Sequence, residues 1–380
     1  MSARSVRGRT QGSIAAKDFC PERLVLAREA RGLQKNELAE LIETTPSAVG
    51  QFERGRIRPT PETVLRMSLA LGVPPSFFAA EPPVTVPSEA CHFRRLRSST
   101  QQEQRRVRAT GALVLTLARH LETVVDLPAE SITALSTAVE GAGDPEETAE
   151  AVRRAWGLGT GPLANVVGLL EREGVIVVEA TGHSERLDAF SAWVGSRPVV
   201  FLATDKQSAS RRRFDTAHEL GHLVMHADVL PGALDVERHA DAFAAALLLP
   251  RAAFESECPR SLSWPRLLAL KRRWKVSLAA LVRRAYGLGI YSEATYRRAF
   301  VQLNERGWRR AEPEEPPMEH PQVLRRAVEL LDGAGYPCER LARDVHLHLE
   351  DLCSLVGFRR ALVTQPADPN RQRPYVEGSP

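Results

Sequence analysis

Residues 218–226 run His-Glu-Leu-Gly-His-Leu-Val-Met-His. They contain H-E-x-x-H. In a helix, positions i and i+4 lie one turn apart on the same face, so His218 and His222 can reach one metal ion. Neutral imidazole is a good ligand for zinc. Glu219 sits beside them, where it can take a proton from a water that the metal activates. An amphipathic helix with polar residues one turn apart produces the same short pattern by chance, so a second segment has to support the metal.

That segment is Val236-Glu237-Arg238-His239-Ala240-Asp241-Ala242-Phe243 and onward to Pro250. It is rich in strong helix formers and stops at a proline. Glu237 and Asp241 are again i and i+4. Two histidines and one carboxylate leave a fourth position for water, which is the catalytic rather than the closed structural arrangement. Glu237 is the expected third ligand. Asp241 is placed to accept a hydrogen bond from the outer nitrogen of a liganding histidine. His239 is the rival ligand, but it points about 200° round the helix from Glu237, so both cannot face the metal. His226 continues the stripe at i+8, either lining the cleft or favoured by the dipole near a helix C-terminus.

Arg213-Phe214-Asp215-Thr216-Ala217, the H-E-L-G-H segment and Glu237 to Pro250 together resemble the ImmA/IrrE family of zinc metallopeptidases. The resemblance extends upstream to Trp156-Gly157-Leu158-Gly159, Gly161-Pro162, Leu169 to Val175 and Asp188-Ala189-Phe190-Ser191, and covers about residues 150–255. Many members carry a second glutamate where this chain has His239. The resemblance implies an α+β, zincin-like and gluzincin-like domain with Zn2+ as cofactor. It also implies a target, because such peptidases cleave XRE-type repressors under stress or during mobile-element induction. In the expected mechanism, zinc lowers the pKa of a water that it binds, and Glu219 moves that water's proton to the leaving amine.

The other strong signal lies near the N-terminus. Residues 22–31 have apolar positions at helical spacing and end at Gly32; 36–42 and 47–54 form two more short helices, the latter ended by Gly55. Thr60-Pro61-Glu62 opens a fourth, with a cap residue and a proline at the first helical position. Arg31-Gly32-Leu33, Glu37-Leu38-Ala39, Phe52-Glu53-Arg54-Gly55, Arg58-Pro59 and Leu71-Gly72-Val73-Pro74 resemble the lambda-repressor-like, or XRE, helix-turn-helix family. The resemblance places the recognition helix at about 47–54. Ser47, Ala48, Gly50 and Gln51 are expected on its exposed face as base readers, and Lys35, Arg54, Arg56 and Arg58 as phosphate contacts. Lys35 stands where the family usually has a glutamine. Phe52 and Glu53 read as an apolar plug and its buried partner.

The expected fold is mainly α with a small β-sheet. Expected divisions are a disordered tail at 1–18, the helix-turn-helix at 20–80, a linker and helical connector at 81–146, and the metallopeptidase domain at 147–255. A helical extension at 256–310 and a helical appendage at 322–362 follow. Val175 to Val178, Ala189 to Val194 and Pro198 to Leu202 read as short strands, and the acidic, proline-rich 311–321 reads as a further linker.

The chain has 380 residues, enough for two or three domains, and its formal charge of +4 says little about nucleic acid. Basic runs stand at 94–97, 102–108 and 211–213. The five cysteines form no C-x-x-C pair, and Cys338, His346, His348 and Cys353 fit no closed zinc site. A polar N-terminus and the lack of any long apolar run lead us to expect a cytoplasmic protein without a membrane partner. The expected partners are a double-stranded DNA operator, bound as a homodimer, and a helix-turn-helix repressor as substrate, either a separate protein or the chain's own N-terminal domain. The alternative is an XRE-family repressor or antitoxin-like regulator that uses the zinc domain as a sensor or scaffold.

Overall fold

The computed structural model describes residues 11–84, 100–139, 144–180, 189–203, 208–226 and 234–357. Residues 85–99 of the expected linker, with the basic run at 94–97, and Asp188 and everything from 358 lie outside them. The fold is mainly α with one three-stranded sheet. No helix among the described residues is long and apolar enough to cross a membrane.

The N-terminal helices follow their local chemistry. They are α2 (Pro21–Ala30), α3 (Lys35–Leu41), α4 (Pro46–Glu53) and α5 (Pro61–Leu71). Prolines occupy the first position of α4 and α5, where no donor is lost. Thr45 and Thr60 cap them by accepting the N–H of Ala48 and Thr63. Leu24, Leu38, Val49, Val64, Met67 and Leu71 fill the centre. The expected disorder of residues 1–18 does not extend through this tail. Residues 11–17 form a helix, α1, whose Ala15 and Ala16 are buried. Phe19 stacks on Phe78, and Arg58 donates to the Lys17 carbonyl at 2.8 Å. Two alanines and a phenylalanine give this tail an apolar face too small to register as helical periodicity.

Helix α6 (Gln101–Glu122) begins with a capping box of Thr100 and Glu103. It was expected as a connector, yet it is a central beam. Val107, Val114, Leu117 and Leu121 belong to one continuous core with the helix-turn-helix on one side and a sheet face on the other. That sheet comprises β1 (Ile176–Ala180), β2 (Ala189–Val194) and β3 (Arg197–Ala203), in the order β1-β3-β2. β3 pairs parallel with β1 and antiparallel with β2, with Phe190 opposite Phe201 and Ser191 opposite Val200. Pleating sends Phe190, Ala192, Val199 and Phe201 towards α6, and Val177, Val200 and Leu202 to the opposite layer.

Gly111 sets the spacing of α6 over the sheet. A Cβ there would come within 2.4 Å of Phe201 Cζ. That ring stacks on Phe190 at 4.3 Å and is almost fully buried, so it cannot swing aside. Gly111→Ala is therefore expected to lower the melting temperature. An overpacking cost of about 1–3 kcal/mol outweighs a helix-propensity gain of about 1 kcal/mol. A raised melting temperature would show that α6 does not pack this closely.

The opposite sheet face carries α7 (Ile132–Val139), α8 (Pro145–Ala155), α9 (Val166–Arg172), α10 (Ala209–Met225) and α11 (Leu234–Leu248). It also carries α12 (Arg251–Glu257), α13 (Trp264–Trp274), α14 (Leu278–Gly287) and α15 (Glu293–Glu305), whose Leu267, Leu281 and Leu303 share the core of α10 and α11. The extension is thus integral to the domain.

The 311–321 segment is a strap rather than a passive linker. Glu312 and Glu315 both accept from the fully buried Lys271 at 2.6 Å. Glu315 also accepts from the N–H and hydroxyl of Ser210 at the start of α10. Glu319 pairs with Arg213 and accepts the N–H groups of Val166 and Val167. Its acidic, proline-rich composition suggested solvent; its carboxylates are in fact spent on buried cations and helix N-termini. The appendage, α16 (Val323–Gly333), α17 (Cys338–Asp344) and α18 (Leu349–Leu355), packs back on α6. It reaches the helix-turn-helix through Arg31 and Asp351 at 3.2 Å.

Candidate metal centre

Helix α10 delivers His218, Glu219 and His222 from one face, and α11 delivers Glu237 and Asp241. The two helices approach closely because Gly221 faces Phe243, where a Cβ would lie 2.9 Å from Cδ1. That approach brings three donors together, with one atom each from His218, His222 and Glu237 within 4.8 Å of one another. His218 Nε2 stands 3.0 Å from His222 Nε2. Glu237 carboxylate oxygens are 3.4 Å from the first and 3.7 Å from the second. Ligand bonds of 2.0–2.1 Å at tetrahedral angles imply donor–donor separations of about 3.3 Å, so the set has the dimensions of a zinc site. All three residues are buried.

The outer nitrogens are also held. His218 Nδ1 lies 2.9 Å from Asp241 Oδ1, which turns Nε2 towards the other donors. His222 Nδ1 lies 3.2 Å from His226 Nδ1, with His226 buried at the C-cap of α10. Of the two positions suggested for His226, the helix C-terminus is the one it occupies, and from there its buried ring backs a candidate ligand. His239 is exposed and stacks on His226 with ring centroids 6.1 Å apart, outside the donor cluster.

Glu219 is buried beside this set. Ser191 donates to its Oε2 at 2.7 Å, and burial pushes its pKa up to about 7 against the pull of His218 and Ser191. A carboxylate poised near neutrality suits proton transfer. Ser191 had no role assigned from sequence. Its signal was faint: one serine within the apolar strand Ala-Phe-Ser-Ala-Trp-Val.

The candidate DNA face is only partly as expected. Ser47 is exposed and Gln51 half-exposed, and Arg54 and Arg56 are exposed. Gly50, expected on the open face, is buried, with the Arg54 guanidinium 3.4 Å from where its Cβ would be. Ala48 is half-buried and packs on the core. Lys35, expected at phosphate, pairs with Glu53 at 2.9 Å, and Arg28 meets the same carboxylate at 2.5 Å. Phe52 and the Glu53 side chain are both buried.

Comparison with known families finds two matches. Residues 170–286 match the IrrE N-terminal-like domain, and residues 24–78 match a helix-turn-helix family. No curated protein matches the chain. The chain joins an XRE-like helix-turn-helix to a metallopeptidase-type domain of the IrrE/ImmA kind. The match runs to 286, past the 255 expected from sequence, in keeping with the shared core of α13 and α14.

Proposed function

We propose that this chain is a DNA-binding transcription regulator whose second domain is a zinc-dependent peptidase. Its target is a repressor-type helix-turn-helix protein, cut in response to stress. The observation that carries the reading is the convergence of His218, His222 and Glu237 beside a buried Glu219 held by Ser191. Zinc at these donors would supply Lewis-acid polarisation of a scissile carbonyl and a water acidified for attack. Glu219 accepts the proton of the attacking water and returns it to the leaving amine, while Ser191 fixes its orientation. Asp241 and His226 keep the histidine rings aimed. Among the described residues β2 is one of the two edge strands of the sheet, and its neighbour α10 carries Glu219, so an extended peptide laid along β2 would pass the base.

A separate repressor is favoured over the chain's own helix-turn-helix. The latter shares its core with α6, and the sheet stands between that core and α10. Incubating the zinc-loaded chain with XRE-type repressors tests the proposal. Cleavage by wild type but not by Glu219→Gln supports it; an intact repressor under every stress-derived condition would remove the peptidase reading.

On the DNA side, Ser47 and Gln51 read bases of a duplex operator and Arg54 and Arg56 hold phosphates, with two chains on a pseudo-palindrome. Gln51→Ala should relax preference at one base position by about 1–3 kcal/mol. A binding-site selection returning the same consensus for both proteins would take Gln51 out of base reading.

A further inference from the structure

Residues 264–310 contain twelve lysines and arginines against two glutamates, a net charge of +10 within a chain of net +4. The acidic strap neutralises one side of this segment. Lys271 is held by Glu312 and Glu315, Arg272 by Glu314, and Arg273 by Glu257. Arg284 turns inward to Glu146. The other side is left basic. Among the described residues, no carboxylate lies within ion-pair reach of Arg283, Arg298, Arg306, Arg309 or Arg310, and all five are exposed.

Aromatic rings run through the same surface. Tyr286 of α14 meets Tyr296 of α15 at 4.6 Å, and Tyr296 meets Phe300 at 4.7 Å. The guanidinium groups of Arg283 and Arg309 lie over the Phe300 ring at 5.7 and 5.3 Å. Arg306 lies over Trp308 at 5.0 Å, and Trp308 directly precedes Arg309. A guanidinium stacked on a ring keeps its in-plane N–H groups free, and those groups match phosphate oxygens in pairs. Tyr286 is 42% exposed, an unusual state for a ring that could be buried. Arginine edges for phosphates beside the exposed Tyr286 ring, on which an unpaired base can stack, are what single-stranded nucleic acid requires.

We infer that the α14–α15 face is a second nucleic-acid site, selective for single strands. It is distinct from the helix-turn-helix, which packs on the other side of α6 and the sheet. A duplex keeps its bases stacked on each other and offers the rings nothing, so charge alone would not give the preference.

The test is fluorescence anisotropy of the full chain with a labelled oligothymidylate of about 20 nucleotides, a length covering one or two such sites. Wild type should bind, and unlabelled duplex of unrelated sequence should displace the probe far less well than unlabelled oligothymidylate. The double change Arg283→Ala and Arg309→Ala should weaken binding at least tenfold. It should also flatten log affinity against log salt by about 1.4, since each phosphate contact on a single strand contributes about 0.7. The double change to lysine should lower affinity while keeping the wild-type slope, because lysine preserves charge but not the planar edge. Both sites are exposed, so both variants should melt with wild type. Absence of wild-type binding, equal binding by the alanine variant, or displacement by duplex as effective as by oligothymidylate would each overturn the inference.

Discussion

Glu219→Gln is expected to reduce peptide hydrolysis by roughly 10²- to 10⁴-fold, the usual contribution of a positioned general base, with metal content unchanged. The carboxamide fills the same buried space and still accepts the Ser191 hydroxyl, so fold and donor set survive. It has no basic oxygen for the proton of an attacking water. Ser191→Ala leaves the base but frees its orientation, and a smaller loss on the order of tenfold should follow, the worth of one hydrogen bond to a charged group. Turnover of a repressor substrate, read alongside metal analysis, separates the two. Wild-type turnover in Glu219→Gln would assign the proton transfer elsewhere.

The second large effect lies in the strap. Glu319→Ala removes the partner of Arg213, a guanidinium 1% exposed whose pKa burial depresses to about 10. It also uncaps Val166 and Val167 at the start of α9. Breaking a buried pair costs about 3–5 kcal/mol, because the remaining charge is stranded away from water. For a domain of this size the melting temperature should fall by roughly 10 °C. Glu314→Gln, which loses only the exposed pair with Arg272, should change stability by less than about 1 kcal/mol. Equal melting of the two variants would return 311–321 to the status of a linker.

The contrast shows what was legible in the sequence. The donor set was, because helical spacing alone places His218 and His222 on one face, and Glu237 with Asp241 on another, whatever the tertiary fold. Strand positions were as well, since short β-branched runs bounded by glycine and charge admit few alternatives. Contacts between distant residues were not. Glu319 and Arg213 are 106 positions apart, and nothing in a proline-rich acidic stretch says which cations it will meet. Ser191 acquires its role only when β2 lies against α10. Gly50 was misplaced for the same reason: the arc of a helix that faces solvent depends on neighbouring side chains, here that of Arg54.

Both domains were visible through separate motifs, but their shared core was not. The helix-turn-helix, α6, one sheet face and the C-terminal helices form one hydrophobic cluster. A repressor module on a loose tether would meet the metal centre at high effective concentration. Packed on α6 behind the sheet, it is kept from that encounter.

The most direct test of the metal centre is elemental analysis of purified wild type, Glu237→Ala and His239→Ala. The donor geometry predicts about one zinc per chain in wild type and in His239→Ala, and its loss in Glu237→Ala. Zinc retained by Glu237→Ala and lost from His239→Ala would contradict the site described.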